Sequence, residues 1–241
     1  MRFITVSSRK FDDYSDLSIR RQPRMFKESI ERFNIPMENL WHEGVEHDWT
    51  GGVRKKLVLD YLEHVPCDEP VLLTDAWDAF FCGSAELIES TFRSFGSPVV
   101  VQTECNLWPK DGEFLPVLPR ATTRWKYACG GGYVGYAGAI KTMFTAEDYW
   151  PSWAICDQSA FNDWAARHPE SAALDDHCQI FLCLYDDGKA RPPIGSSIAP
   201  ITGRVRLLDL HTHPLVIHGG GGFAHAALRL WDTIKEQRGW N

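Results

Sequence analysis

The chain is short of paired cysteines, of basic charge and of long apolar runs. Its seven cysteines are an odd number and no two form a CxxC pair, so neither a disulfide framework nor a zinc ribbon is indicated. Lys and Arg together number 25 against 32 Asp and Glu, a net charge of −7, which argues against a broad nucleic-acid-binding surface. No apolar run approaches the ~20 residues that a membrane span requires.

Signals for export and for domain boundaries are also missing. The apolar start of the sequence turns polar at Ser7, before it reaches the length of a signal peptide. Together with the dispersed cysteines, typical of reduced thiols, this predicts a cytoplasmic protein. No repeat, low-complexity tract or change of composition marks a linker, so we expect a single domain over residues 1–241.

What the sequence does contain is an alternation of short apolar segments and amphipathic segments. This alternation is typical of βαβ units and predicts an α/β protein with a mainly parallel sheet. The predicted strands are residues 3–6, 37–41, 71–73, 99–101, 180–185, 205–210 and 215–218. The predicted helices are residues 23–33, 57–62, 87–95, 139–144, 157–164 and 223–238.

Two carboxylates, Asp75 and Asp78, directly follow the buried strand at residues 71–73. In open α/β sheets ligands bind at the carboxyl ends of the strands, where these side chains would lie. Two acids three residues apart in a turn can bind one hard cation such as Mg²⁺ or Mn²⁺. The alternative is that one of them caps the following helix.

A histidine and four glycines form the second candidate segment. His218 ends a predicted strand and enters the loop that starts with Gly219 and Gly220. Such a loop allows close backbone approach to a ligand, and an imidazole ligand would favour Mn²⁺ over Mg²⁺. A hinge beside a hydrogen-bonded histidine is equally compatible. His211 and His213 lie just upstream, either on the surface or converging with His218 in a hydrolytic metal site.

Two further glycine clusters are compatible with ligand binding. Gly51 and Gly52 precede basic residues that include Lys55, so the segment predicts either a diphosphate contact or a solvated basic helix start. Gly131 and Gly132 lie in a glycine-rich stretch that is neither a Walker loop nor a dinucleotide-binding fingerprint. This stretch predicts close packing of the backbone against a flat or bulky group.

The remaining candidates are acids and tryptophans. Asp157 begins a predicted helix with Gln158, either as a catalytic acid or as a helix cap. Asp175 precedes a predicted strand. Most of the ten tryptophans are expected in the core, but Trp77 and Trp108 could stack on a sugar or base ring.

Taken in order, these segments resemble the glycosyltransferase domain of the procollagen lysyl hydroxylase (PLOD) family and its relatives, including the collagen galactosyltransferase-type enzymes. The similarity extends over about residues 37–222, most of the chain. Each motif is short, and the common order and spacing of seven motifs is what makes the similarity specific. The matching segments are Gly51-Gly52 with Lys55, Thr74-Asp75-Ala76-Trp77-Asp78, Glu104-Cys105 with Trp108-Pro109, Cys129-Gly130-Gly131-Gly132-Tyr133-Val134-Gly135, Asp157-Gln158, Leu174-Asp175 with Ile180-Phe181, and Val216-Ile217-His218-Gly219-Gly220-Gly221.

The resemblance implies a GT-A-like, Rossmann-related fold that uses a UDP-sugar and Mn²⁺, with Mg²⁺ as the alternative ion. The implied reaction moves a hexose, glucose or galactose, to a hydroxyl acceptor. Asp75, Asp78 and His218 match the metal-binding positions. Catalytic roles are assigned to Asp157, Gln158 and Asp175. Contacts to the nucleotide-sugar are assigned to Gly51, Gly52, Lys55, Trp77, Trp108, Gly131, Gly132, Gly219 and Gly220.

The sequence departs from the family pattern at three places and leaves three functions open. Asn106-Leu107 adds a residue between Cys105 and Trp108. The acidic run is shortened to Cys156-Asp157, and Gly220 stands where the family has asparagine. A bacterial or viral relative is expected, acting without a membrane on a hydroxyl of a protein, a glycan or a modified nucleobase. Besides the transferase, a metal-dependent hydrolase that uses His211, His213 and His218 and a non-catalytic sugar- or nucleotide-binding module remain open.

Overall fold

The computed structural model describes residues 1–7, 21–41, 51–107, 121–146, 157–185, 197–220 and 223–240. Strands and helices alternate along these residues, which confirms the predicted α/β class. The elements up to residue 104 are β1 (Arg2–Val6), α1 (Arg21–Arg32), β2 (Met37–Leu40), α2 (Gly51–Leu62), β3 (Pro70–Thr74), β4 (Ala79–Phe81), α3 (Ala85–Ser94) and β5 (Val99–Glu104). They are followed by β6 (Tyr127–Tyr136), α4 (Ala137–Thr145), α5 (Asp157–Arg167), β7 (Ala173–Leu174), β8 (Phe181–Cys183), β9 (Ile198–Ile201), β10 (Arg204–Leu207), β11 (Val216–His218) and α6 (Ala224–Arg238).

The central sheet has the strand order β2-β1-β3-β6-β5-β7. β1 is parallel to both β2 and β3, and β5 is parallel to β7, whereas β6 is antiparallel to both of its neighbours. The sheet is therefore mainly parallel, as predicted. Because β6 runs in the opposite direction, its glycine-rich first half lies beside the carboxyl ends of β3 and β5, with Gly132 opposite Thr74.

A second sheet carries the histidine toward the same edge. Its strand order is β4-β11-β8, with β11 antiparallel to β4 and parallel to β8. This register sets His218 opposite Ala79 on one side and Cys183 on the other. The end of β11 thus lies next to Asp78, the residue that precedes β4. β9 and β10 form a separate antiparallel pair.

The core lies on both faces of the central sheet. Val71, Leu72 and Leu73 in β3 are all fully buried. Val71 and Leu73 pack in a cluster with side chains of α2, α4 and α5, whereas Leu72 packs in a cluster with side chains of α1 and α3. Successive residues of a strand point to opposite faces, so a strand covered on both faces reads as a continuous apolar run. This pattern fixes the position of the loop that carries Asp75.

Several sequence-based boundaries differ from the structure. Gly51 and Gly52 were expected before a helix, and they form the first two residues of α2. The strand predicted at residues 180–185 is limited to β8, and the one predicted at 205–210 ends at Leu207 because a turn follows it. In that turn His211 has a φ of 55°, a left-handed backbone conformation that does not continue a strand.

Candidate active site

A cavity of about 510 Å³ opens where the carboxyl ends of β3 and β5 meet the end of β11. It lies at the edge of the sheet where α/β proteins bind ligands. Side chains and backbone from both sheets and from α2 and α5 line it. The lining residues are Arg54, Asp75, Asp78, Glu104, Cys105, Asn106, Leu107, Cys129, Gly130, Gly131, Gln158, Cys183, Leu184, Tyr185, His218, Gly220 and Phe223.

The loop between β3 and β4 is held to both sheets by backbone hydrogen bonds. The Asp75 N–H donates to the Gly131 carbonyl at 2.9 Å, and the Gly219 N–H donates to the Asp78 carbonyl at 2.6 Å. Both aspartates therefore have their backbones fixed against strands whose positions the core determines. The carboxylates of both aspartates line the cavity. The following helix, α3, is capped by Ser84, so neither aspartate is the helix cap that the sequence left open.

The structure brings Asp75, Asp78 and His218 together. His218 Nε2 lies 3.4 Å from Asp75 Oδ2 and 3.4 Å from Asp78 Oδ1, and one ligand atom from each residue lies within 4.8 Å of the others. Nε2 is buried and has no hydrogen-bond partner of acceptable geometry. Two carboxylates and one imidazole suit a divalent cation of the Mn²⁺ type. The residues therefore fit the metal that the resemblance implies.

The charges in this cluster shift the protonation of its members. Burial opposes a charged imidazole, yet the adjacent carboxylates of Asp78 and Asp75 raise the pKa of His218 well above its usual range. Burial also raises the pKa of Asp75, but the Arg54 guanidinium and the imidazole outweigh it and hold that pKa below its ordinary value. The site is therefore an electrostatically coupled set of two acids, one base and one permanent cation.

Glycines around His218 make room for its ring. A Cβ built on Gly131 would collide with the imidazole, and a Cβ on Gly220 would lie 2.6 Å from its Cε1 atom. A neighbouring Cβ on Gly132 would lie 2.5 Å from Oε1 of Gln102. The sequence predicts that the glycine-rich stretch packs against a flat or bulky group. At Gly131 that group is the imidazole ring of His218.

The other ring nitrogen of His218, Nδ1, faces an amide and a thiol instead of carboxylates. Nδ1 lies 3.0 Å from Nε2 of Gln102 and 3.8 Å from Sγ of Cys129. Gln102 is fully buried and its Oε1 has no hydrogen-bond partner. The hydrogen bond of Cys129 with Cys183, together with the neighbouring imidazole, lowers the pKa of Cys129 to about 5 despite its burial. Sequence reasoning missed Gln102 and Cys183, because nothing in the spacing of residues shows which strands become neighbours.

Within the described part of the chain, Arg54 is the basic residue that pairs with the cluster. Its Nη2 lies 3.0 Å from Asp75 Oδ1, and the residue is 9% exposed. The sequence favoured Lys55, which is half-buried, does not line the cavity and has a pKa lowered by burial. The two basic residues are adjacent on α2, so composition alone could not choose between them. Gly51 and Gly52 lie at the start of the same helix.

Gln158 reaches the cavity from α5 and bonds to Glu104. Its Nε2 donates to Glu104 Oε1, and its Oε1 accepts from the Gly130 N–H at 3.3 Å. Burial, reinforced by the nearby Cys129, raises the pKa of Glu104 to about 8. Asp157 is the first residue of α5, and its side chain lies outside the described part of the chain.

Two further predicted site residues, Asp175 and Trp77, do not line this cavity. Asp175 is fully buried, and its carboxylate accepts the backbone N–H groups of Gln179, Ile180 and Phe181 at 2.7–2.8 Å. This arrangement organises the turn before β8. Trp77 packs against the core beside α3 and is half-buried. Trp108 lies outside the described residues.

The histidines of the hydrolase alternative do not converge. His211 and His213 are both exposed, and the Nδ1 atom of His213 lies 3.1 Å from the carbonyl of Val205. Among the described residues, the possible metal-binding groups that contain His218 include neither of them. The three-histidine site is therefore not formed.

The fold is that of the GT-A-like glycosyltransferases. A glycosyltransferase involved in the glycosylation of the major capsid of PBCV-1 has the same fold, with a TM-score of 0.51 and 12% identity. The superposition covers 97% of this chain and 100% of that one. The model of the PLOD GT domain matches residues 1–232, and the chain belongs to that family. The resemblance inferred from the ordered motifs is confirmed.

Individual relatives are distant. Procollagen-lysine,2-oxoglutarate 5-dioxygenase 2 of Mus musculus is 24% identical over 90% of this chain, and its Homo sapiens counterpart is 24% identical over 78%. The chain spans 29% and 27% of their lengths. Uncharacterized protein R699 of Acanthamoeba polyphaga mimivirus is 24% identical over 75% of the chain and 38% of its own length.

Among the described residues, none of the helices is both long and apolar enough to span a membrane.

Proposed function

We propose that the chain is a Mn²⁺-dependent glycosyltransferase that moves a hexose from a UDP-sugar to a hydroxyl acceptor. The observation that carries this proposal is the cluster of Asp75, Asp78 and His218 that lines the 510 Å³ cavity. Ligand cavities of proteins commonly have volumes of about 300–1,000 Å³. Membership of the PLOD GT domain family supplies the reaction class.

Asp75, Asp78 and His218 would hold the metal through two carboxylate oxygens and the Nε2 atom of the imidazole. A divalent ion bound there supplies Lewis-acid stabilisation to the diphosphate leaving group. The imidazole favours Mn²⁺ over Mg²⁺, because Mg²⁺ prefers an all-oxygen shell. We therefore expect Mn²⁺ to support a higher rate than Mg²⁺.

The protein's own groups prepare the donor site. Arg54 pairs with Asp75 and fixes the direction of its carboxylate, leaving a positive charge at the wall where a diphosphate would lie. Gly220, at the start of the glycine loop, lines the cavity and lets backbone approach a ligand closely. These contacts would orient the leaving group and balance its charge, which is the main electrostatic requirement of the reaction.

The acceptor hydroxyl needs a group that positions it or accepts its proton. We assign this role to the segment around Asp157 and Gln158 at the start of α5, where Gln158 already lines the cavity. The names of the relatives favour a hydroxyl carried by a protein: one acts on procollagen lysine, and the structural neighbour takes part in glycosylation of a capsid. A glycan or a modified nucleobase is the alternative acceptor. A cytoplasmic location remains a prediction.

The direct test is a panel of UDP-hexoses incubated with the full chain and Mn²⁺, scored for release of UDP. We expect release from at least one donor, increased by a hydroxyl acceptor and abolished by a chelator. A non-catalytic binding module would instead bind UDP in a metal-dependent way with no transfer and no slow hydrolysis. Absence of UDP release from every donor would contradict the proposal.

A further inference from the structure

We propose that Cys129, Cys183 and the Nδ1 atom of His218 form a second metal site, selective for soft or borderline cations of the Zn²⁺ class. It lies on the Nδ1 side of the imidazole ring, whereas Asp75 and Asp78 lie on the Nε2 side. The cation at this site would be bound by two sulfurs and one nitrogen, a donor set unlike that of the carboxylate cluster. Neither the proposed transfer reaction nor the donor cavity's metal requires these two thiols.

The geometry of the three donor atoms suits such an ion. The two Sγ atoms and a ring nitrogen of His218 lie within 4.8 Å of one another, and Cys129 Sγ is 3.8 Å from Nδ1. Zinc binds sulfur at about 2.3 Å and histidine nitrogen at about 2.0–2.1 Å, which separates neighbouring ligand atoms of a tetrahedral site by roughly 3.5–4 Å. Only small side-chain movements are therefore needed.

The fold holds these donors rigidly and leaves them accessible. Cys183 pairs with His218 across β8 and β11, and Cys129 belongs to β6 in the central sheet. The two cysteines are 3% and 4% exposed, free of disulfides, and both line the cavity through which an ion would enter. Thiolate ligands select soft and borderline metals, whereas the two carboxylates across the ring select hard ones.

A buried polar atom without a partner supports a ligand at this position. Gln102 is fully buried, its Nε2 lies 3.0 Å from Nδ1, and its Oε1 has no hydrogen-bond partner. Exchange of the amide nitrogen and oxygen would turn the unpartnered oxygen toward the ion as a fourth donor. Such exchange costs little, since the two ends of the amide have the same shape.

The two sites would exclude each other, a consequence that rests on the proposed Mn²⁺ site. A neutral imidazole has one lone pair, so a cation on Nδ1 leaves a proton on Nε2, which then faces Asp75 and Asp78 as a donor. As a neutral imidazole, His218 therefore cannot bind both ions at once. A thiophilic cation would therefore displace Mn²⁺ without occupying its position, and inhibit transfer.

The test uses Cd²⁺ as a probe, because its bond to thiolate gives an ultraviolet charge-transfer band. The full chain, reduced with a phosphine, is titrated with Cd²⁺ alone. We expect one saturable equivalent. Cys129→Ser and Cys183→Ser should each weaken Cd²⁺ binding by more than about 100-fold, since even outer partners of a metal site contribute about 10–100-fold. Cys105→Ser is the matched control, because Cys105 also lines the cavity but is outside the cluster.

Two further measurements keep the outcome decisive if a cysteine variant folds poorly. X-ray absorption of the wild-type chain with one equivalent of Zn²⁺ should show two sulfur neighbours at about 2.3 Å. Mn²⁺ bound to wild type, followed by electron paramagnetic resonance, should be released by Cd²⁺, whereas in Cys183→Ser it should be retained. The Cd²⁺ band should persist in the double variant Asp75→Asn/Asp78→Asn. A failure of Mn²⁺ to bind the chain would therefore not contradict the thiolate site.

Three results would overturn the proposal. They are a wild-type titration without a saturable band, equal loss of the band in Cys105→Ser and Cys129→Ser, and a zinc shell of oxygen and nitrogen alone. Simultaneous binding of Cd²⁺ and Mn²⁺ to wild type would contradict the mutual exclusion.

Discussion

At the scale of single residues, the two ring nitrogens of His218 face different groups of side chains. Nε2 faces the carboxylates of Asp75 and Asp78, and Nδ1 faces Gln102 and Cys129. The sequence predicted the first of these groups, because both aspartates follow one apolar strand and the histidine ends another. It could not predict the second, because Gln102 follows the apolar residues of β5 without belonging to any motif.

Gln102 should act as a positioning residue for Mn²⁺. Gln102→Leu removes the group that bonds to Nδ1 and fixes the ring, and we expect Mn²⁺ affinity to fall by about 10–100-fold, as for other outer partners of metal ligands. Electron paramagnetic resonance measures the free ion directly. Gln179→Leu, an exposed glutamine on the turn before β8, is the control. Equal Mn²⁺ affinity in both variants would show that Gln102 does not position the ring.

Gly131 should be intolerant of any side chain. In Gly131→Ala the new methyl group would occupy the space of the imidazole, so the ring must move from its position between the carboxylates. We expect Mn²⁺ affinity to fall by about tenfold or more. A thermal melt checks that the variant folds. Wild-type Mn²⁺ affinity in a folded Gly131→Ala protein would contradict the observed packing.

Glu104 should make stability depend on pH. Burial raises the pKa of Glu104 from an ordinary 4.5 to about 8 in the folded chain. Between about pH 4.5 and pH 8 the carboxyl is therefore protonated in the folded state and ionised in the unfolded state. The contribution of Glu104 is therefore fully present below about pH 4.5 and is lost as the pH rises through about 8. Glu104→Gln should have a melting temperature equal to wild type at pH 4 and higher at pH 9, by about 2–4 °C per kcal/mol gained. A constant difference across this range would refute the raised pKa.

At the scale of elements, the reversed strand β6 builds the site. Its antiparallel insertion between β3 and β5 brings the glycines against Asp75 and His218. Periodicity predicted that strands exist and roughly where they begin. It carries no information on strand direction or order, and the glycine-rich stretch has few of the β-branched residues that mark a strand. The close packing was predicted correctly, but its partner could not be.

The turn between β7 and β8 depends on Asp175. Its carboxylate accepts three backbone N–H groups, so Asp175→Ala should destabilise the fold by about 2–4 kcal/mol, the cost of leaving such donors unpaired. Asp163→Ala, which breaks only the pair with Arg167 on the surface of α5, should cost less than about 1 kcal/mol. Denaturant unfolding measures both. A catalytic role for Asp175 would appear instead as lost turnover with unchanged stability.

At the scale of the whole molecule, the fold class and the family were predictable because apolar periodicity and the order of seven motifs persist over most of the chain. The match of the PLOD GT domain over residues 1–232 confirms this. The roles of individual residues were harder to predict from the sequence. Asp175 matched a motif yet serves the turn, and Arg54 lines the cavity where Lys55 was expected. Contacts between distant segments decide such cases, and they arise only in the folded chain.

The central claim is that the cluster of two aspartates and His218 makes sugar transfer depend on a metal. The most direct measurement compares Mn²⁺-dependent UDP release by wild type, His218→Ala and the double variant His211→Ala/His213→Ala. We predict at least a 100-fold loss in His218→Ala, on the order of the effect of removing one electrostatic stabiliser, and wild-type rates in the double variant. Full metal-dependent release by His218→Ala, or its loss in the double variant, would contradict the account.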